Sequence, residues 1–172
     1  MEPTRILFVC LGNICRSPLA EGLFVHLARE RGVADRFVVD SAGTGHWHVG
    51  ELPDPRARAV AQKNGVVLPS RARQVDPESD LRVTGGAAWD WLIGMDRSNC
   101  SNLVRLGAPK ERVRLLRSFD PSLAGRHERE LEVPDPYTDD GMFDEVFAMV
   151  RAACVGMIQE LTAETRRSQS GD

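Results

Sequence analysis

Val9-Cys10-Leu11-Gly12-Asn13-Ile14-Cys15-Arg16-Ser17-Pro18 decides how the rest of the chain reads. An apolar run, Ile6-Leu7-Phe8-Val9, stops where this stretch begins, and its continuity suits a strand covered on both faces. A helical pattern opens where the stretch ends, with Ser17 as N-cap, Pro18 in the first helical position and Glu21 in the first turn. Strand, tight loop and helix N-terminus in that order bring free backbone N–H groups and the helix dipole to one point, which makes an anion site. Within it Cys10 is a candidate nucleophile and Arg16 a fixed cation, with five residues between them.

Working outward, Leu19, Ala20, Leu23, Phe24, Leu27 and Ala28 repeat at helical spacing, and Gly32 sits where a C′ glycine would end the helix. Phe37 to Ser41 is the next strand, giving a βαβ unit. Asp54-Pro55 opens a second helix that ends before Gly65, and Leu81 to Ala88, with Gly85-Gly86, reads as a loop. Trp89 to Met95 is a third strand candidate, Ser98 to Leu106 a helix capped by Asp96 or Ser98, and Val113 to Leu116 a short fourth strand. Phe143, Val146, Phe147, Val150, Cys154, Met157, Ile158 and Leu161 form one helical stripe. The alternation predicts an α/β fold: an open, mostly parallel four-stranded sheet with helices on both faces and the Cys10 loop at the end of the first strand. One domain over 1–163 is expected, with 164–172 a frayed tail.

The chain has 172 residues, 42% hydrophobic and 27% charged, with a formal net charge of −3. That composition is ordinary for a globular protein and gives no electrostatic footprint for nucleic acid or an anionic membrane. Four cysteines make no disulfide framework. The apolar run after Arg5 is too short for a signal-peptide core, and no stretch is read as spanning a bilayer. A cytoplasmic, monomeric protein without membrane insertion is the expectation.

A phosphate ester needs several donors fixed before reaction, and the N–H groups of Leu11 through Ser17 can supply them. Gly12 offers backbone freedom, and Asn13 visits left-handed conformations readily. Arg16 presents a planar fork to two oxygens. The helix N-terminus, the amide nest and Arg16 all favour the Cys10 thiolate, and a Ser17 hydroxyl would stabilise it further. No Gly-Lys-[Ser/Thr] follows, so the loop is not a nucleotide P-loop. Cys10 and Cys15 lack a second ligand pair at zinc spacing, so a zinc site is not expected.

Cys10 to Pro18, near the start of the chain, resembles the signature of the low-molecular-weight protein tyrosine phosphatases, bacterial members most closely. The resemblance continues through Asp40 to Thr44, Trp47 to Gly50, Ala72-Arg73-Gln74, Met95-Asp96 and Asp135-Pro136-Tyr137, over nearly the whole chain. It implies a hydrolase without cofactor: Cys10 forms a cysteinyl-phosphate, and Arg16 with the amides of Leu11, Gly12, Asn13, Ile14, Cys15 and Ser17 holds the phosphoryl group. Asp135 is then the general acid, which the residues alone do not single out from Asp54, Asp76 and Asp120, each also before proline. Trp47 and Tyr137 match the slot's aromatic walls, and Asn13, Ser17 and Ser41 a hydrogen-bonded set that supports the loop. Related arginine-phosphate phosphatases carry threonine where this chain has Ile14, which favours phosphotyrosine.

Three departures stand out. Ser70 falls where the family often has histidine, so the supporting set should be shorter or water-bridged. Thr138 replaces a second tyrosine, and Leu81 to Ala88 is longer than usual. Cys15 is implied as a redox partner of Cys10. Competing readings are an arsenate reductase, which would need a close resolving cysteine pair beyond Cys100 and Cys154, a protein-arginine phosphatase, or a non-catalytic phosphate-binding module. The partner expected is a phosphotyrosine-containing protein, with a bacterial tyrosine kinase or its substrates among the candidates.

Overall fold

The computed structural model describes residues 1–82 and 88–169. Strands β1 (Thr4–Cys10), β2 (Phe37–Gly43), β3 (Trp91–Gly94) and β4 (Val113–Leu115) form one sheet in the order β2-β1-β3-β4. All three pairings are parallel, so the expected mostly parallel sheet is wholly so among the described residues. The chain leaves β1 to one side for β2 and later crosses to its other side for β3. Crossovers that diverge in this way open a crevice at the carboxyl end of the central strand. The loop after Cys10 occupies it.

Burial on both faces explains the unbroken apolar run of β1. Ile6, Phe8 and Cys10 pack into a layer with α1 (Arg16–Glu30), α2 (Pro55–Lys63) and α4 (Phe143–Gln169). Leu7 and Val9 face the opposite layer, which Leu103 of α3 (Arg97–Arg105), Val75, Leu81 and Trp89 complete. Helices therefore cover both faces, as the alternation predicts.

Several boundaries move for identifiable reasons. Helix α1 begins at Arg16, with Cys15 in the cap position and no side chain capping it. Ser17 is thus inside the helix rather than its cap, because its hydroxyl is taken by Cys10. The expected strand from Trp89 to Met95 shrinks to Trp91–Gly94. Trp89 is drawn out of the ladder to donate its indole N–H to Asp80 (2.9 Å), and the Met95 N–H donates to the Asn99 side chain instead of to a neighbouring strand. The loop read at Leu81 to Ala88 has Val83 to Ala87 outside the described residues; just before it, Pro77–Leu81 make a single π turn. Gly32 and Gly65 follow their helices with φ of 66° and 71°, as the sequence suggests.

Helix α4 continues to Gln169, six residues past the expected boundary at 163. Glu164, Arg166 and Arg167 are good helix formers, and no glycine or proline intervenes before Gly171. The sequence reading also missed that this helix is long and apolar enough to cross a membrane, with a mean hydropathy of 1.4 in an 18-residue window. Half of that window is buried inside the protein. Its stripe packs on α1, with the Cys154 thiol against the Ala20 carbonyl, so here the helix serves as core.

Candidate active site

The loop from Cys10 to Arg16 is held by hydrogen bonds that run in one direction. Asn13 takes the left-handed conformation (φ 54°), and its amide group is enclosed. Its Nδ2 donates to Ser17 Oγ (2.8 Å) and to Ser41 Oγ (3.0 Å), while its Oδ1 accepts from the Arg73 N–H (3.0 Å). Because both hydroxyl oxygens already accept, their hydrogens point elsewhere. That of Ser41 goes to Glu21 Oε2 (2.9 Å), and Ser17 Oγ lies 3.0 Å from Cys10 Sγ, where it can donate to the thiolate. The Asn13 N–H also points at Cys10 Sγ (3.3 Å).

The supporting set, expected to be shorter or water-bridged because of Ser70, includes that residue. Ser70 donates to the second oxygen of Glu21 (2.6 Å), so a buried carboxylate completes the set. Burial pushes the Glu21 carboxyl up, against the pull of the two hydroxyls, and neighbouring Asp40 adds to the rise. The sequence marked Glu21 only as a first-turn acid. Its signal was a carboxylate on the apolar face of α1, one turn after Ser17.

Arg16 is almost fully enclosed (3% exposed). Its NH1 donates to Asp96 Oδ2 (2.7 Å) and to the Val133 carbonyl (2.9 Å), and its NH2 lies 3.7 Å from Asp135. Burial works against the guanidinium charge; Cys10, Asp96 and Asp135 outweigh it and keep the group protonated. Asp96 does two jobs. One oxygen caps α3 by accepting from the Asn99 N–H (2.8 Å), and the other anchors Arg16. Only the first was legible in the sequence.

Cys10, Leu11, Gly12, Ile14, Cys15, Arg16, Trp47, His48, Asp135 and Tyr137 line one cavity of about 170 Å³. The structure thus gathers nearly every residue the sequence singled out. Asn13, Ser17 and Ser41 are the exceptions: their side chains lie buried beneath the cradle and hold it in shape. Trp47 is 63% exposed and Tyr137 50%, so both stand at the mouth. His48 packs on Gly12 and near the Tyr137 ring (6.2 Å between centroids), with Nδ1 2.7 Å from Glu51. A Cβ on Gly12 would lie 3.1 Å from His48 Cδ2, and its φ is not positive. A Cβ there would make the His48 ring give way by a few tenths of an ångström, so the glycine serves close packing, and the left-handed residue is Asn13. Gly43 is needed for a similar reason, since a Cβ would meet the Leu11 carbonyl at 2.7 Å. That close approach lets Thr44 and Gly45 donate to the carbonyls of Cys10 and Leu11.

Asp135 stands between Pro134 and Pro136, half-exposed, and accepts from the Tyr137 N–H (3.1 Å). All four cysteines are free. Burial, reinforced by Asp54, Cys10 and Asp135, pushes the Cys15 thiol up to about 12. Burial likewise raises Cys100 to about 12 and raises Cys154, and neither lines the cavity. Among the described residues no three His, Cys, Asp or Glu side chains converge as a metal site.

The family model for low molecular weight phosphotyrosine protein phosphatase matches residues 5–167. The chain belongs to that family. It is 45% identical to low molecular weight protein-tyrosine phosphatase A of Mycobacterium tuberculosis, over 91% of this chain and 90% of that one. It is 44% identical to a low molecular weight protein-tyrosine-phosphatase of Streptomyces coelicolor, over 90% and 91%. Among solved structures it resembles YfkJ from Bacillus subtilis, with a TM-score of 0.82 and 30% identity over 95% of this chain and 98% of the other. Family membership accounts for the placement of the phosphatase loop at the end of β1.

Proposed function

We propose that the chain hydrolyses phosphotyrosine in proteins in two steps, with Cys10 as nucleophile, Arg16 as the grip on the phosphoryl oxygens and Asp135 as general acid and then base. The observation that carries this reading is the convergence of the three on one cavity, with Asp135 3.7 Å from Arg16 and Trp47 and Tyr137 at its mouth.

In the first step Cys10 Sγ attacks phosphorus, the bond to the phenolic oxygen breaks, and Asp135 gives that oxygen its proton. Arg16 NH1 is engaged by Asp96 and Val133, which leaves the Nε–NH2 edge to face the equatorial oxygens. In the second step water attacks the cysteinyl-phosphate, Asp135 takes the water proton, and the thiolate departs. The Ser17 hydroxyl supports sulfur as attacking and as leaving thiolate.

Ile14, at the cavity wall, and the two aromatic rims favour an aryl ester over phosphoarginine. An arsenate reductase is disfavoured, because Cys154 is enclosed in α4 and Cys100 sits in α3, away from the lining. Cys15 is proposed to resolve oxidised Cys10. Peroxide converts the Cys10 thiolate to a sulfenic acid; Cys15 thiolate then displaces hydroxide and forms the disulfide. Burial and then Asp54 do most to hold the Cys15 proton; the charge of the Cys10 thiolate adds to them, and oxidation removes that part. The substrates of this reading are cytoplasmic phosphotyrosine proteins, among them tyrosine kinases, met by a monomer.

The test is turnover of phosphotyrosine, phosphoserine and phosphoarginine peptides by the wild type and by Cys10→Ser. The reading expects phosphotyrosine to be preferred and the serine variant to be inactive. Equal activity in the variant, or a preference for phosphoarginine, would overturn it.

A further inference from the structure

The segment that carries Asp135 is held at its two ends by two different arginines. At the near end Arg16 donates to the Val133 carbonyl (2.9 Å), and the Val133 N–H donates to Met95 O (2.8 Å). At the far end Arg56 NH1 donates to Asp140. The Arg56 guanidinium also lies 5.7 Å from the Tyr137 ring centroid and 4.7 Å from that of Phe143.

Arg56 is itself fixed. Its Nε and NH2 donate to the two oxygens of Asp54 at 2.9 and 2.8 Å, and its own N–H donates to Asp54 Oδ1 (2.9 Å). Asp54 is buried, and its N–H donates to the Ile14 carbonyl in the phosphatase loop (2.8 Å). A continuous path therefore runs from the loop that would hold phosphorus, through Asp54 and Arg56, to the segment that would deliver the proton.

The two halves of the reaction lie far apart in the chain, yet proton transfer needs the acid oxygen within hydrogen-bond reach of the leaving oxygen. Asp135 is half-exposed and flanked by prolines; its carboxylate accepts from the Tyr137 N–H and stands 3.7 Å from Arg16 NH2, too far for a hydrogen bond to fix its distance from the loop. Arg56 offers what a lysine could not: a planar fork for Asp54, a further donor for Asp140 and a flat cation against two rings.

We propose that Arg56 is a positioning residue for the general acid, the joint that sets where Asp135 stands relative to the phosphatase loop. The inference rests on Asp135 being that acid. Its test is kcat/KM, which reports the first step, for phenyl phosphate and for a dinitrophenyl phosphate. The first ester needs a proton on its leaving group and the second does not.

Arg56→Met is expected to lose about tenfold on phenyl phosphate and less than about threefold on the dinitrophenyl ester, with inhibition by inorganic phosphate unchanged. Arg56→Lys should behave like Arg56→Met. Asp140→Asn, at an exposed position, should move in the same direction and keeps the test open should Arg56→Met fold poorly. In an Asp135→Asn background, Arg56→Met should add nothing to the dependence on leaving group. Equal losses on both esters, or full additivity in the double variant, would overturn the positioning role. No leaving-group dependence in Asp135→Asn alone would instead remove the acid assignment, and the joint with it.

Discussion

At the scale of single residues, Glu21 changes the account most. Ser70, read in the sequence as a departure from a family that often has histidine there, donates to the carboxylate beneath the loop, which receives two hydroxyls and no cation among the contacts described. Burial raises its carboxyl above the usual value of 4.5. A carboxyl raised on folding contributes stability below its unfolded value, and that contribution is lost as pH rises through the folded one. Glu21→Gln should therefore gain stability relative to the wild type as pH rises from about 4.5, with the gap levelling off above the raised value. Urea unfolding midpoints across that range test this; a gap independent of pH would mean that Glu21 folds with an unshifted carboxyl. The sequence showed Ser17 and Ser41 but not the residue linking Ser41 to Ser70. A polar side chain on a helix's apolar face does not announce its partners.

At the scale of elements, α3 and the phosphatase loop are joined through one carboxylate. Asp96 caps α3 with one oxygen and pairs with Arg16 through the other. Asparagine is as good an N-cap as aspartate but carries no charge. Asp96→Asn should leave the melting temperature within a few degrees of wild type and cut kcat/KM for aryl phosphates by about ten- to a hundredfold, because a charge-assisted bond to the gripping arginine is lost. Melting curves and steady-state kinetics on one preparation check both halves. A large fall in melting temperature with proportionate activity loss would make Asp96 a helix cap and nothing more. The cap was legible because Asp96 precedes a helical pattern; the anchor was not, since it depends on β3 and β1 lying side by side.

At the scale of the whole molecule, the parallel sheet, its two covering layers and the loop's place at the carboxyl end of β1 followed from the alternation of strands and helices; the strand order came only with the structure. What periodicity could not give was the polar framework between segments. Asp80 shows the gap. It lies in a turn-rich stretch, yet it accepts from two nitrogens of Arg73, the Asp76 N–H and the Trp89 indole N–H. Arg73 in turn pairs with Asp40, and its backbone holds Asn13. Burial alone would raise the Asp80 carboxyl, but Arg73, Asp76 and Trp89 outweigh it and hold it low. Asp80→Ala should cost about 2 kcal/mol at neutral pH, because it leaves the Trp89 indole donor unpaired and the Arg73 guanidinium with Asp40 alone. A carboxyl lowered on folding stabilises above its unfolded value of about 3.8 and ceases to as pH falls through the folded one. The deficit of the variant should accordingly shrink below that pH, and denaturant titrations at neutral and acid pH would expose a deficit that does not.

The central claim is that Cys10 becomes covalently phosphorylated in a cradle built for it. The most direct measurement is acid quenching within the first turnover on a phosphotyrosine peptide, followed by mass spectrometry of the proteolysed enzyme. The account predicts one phosphoryl group on the Cys10 sulfur, absent from Cys10→Ser and more persistent where Asp135→Asn slows the attack of water. Turnover with no phosphorylated cysteine, or with the group on another residue, would contradict it.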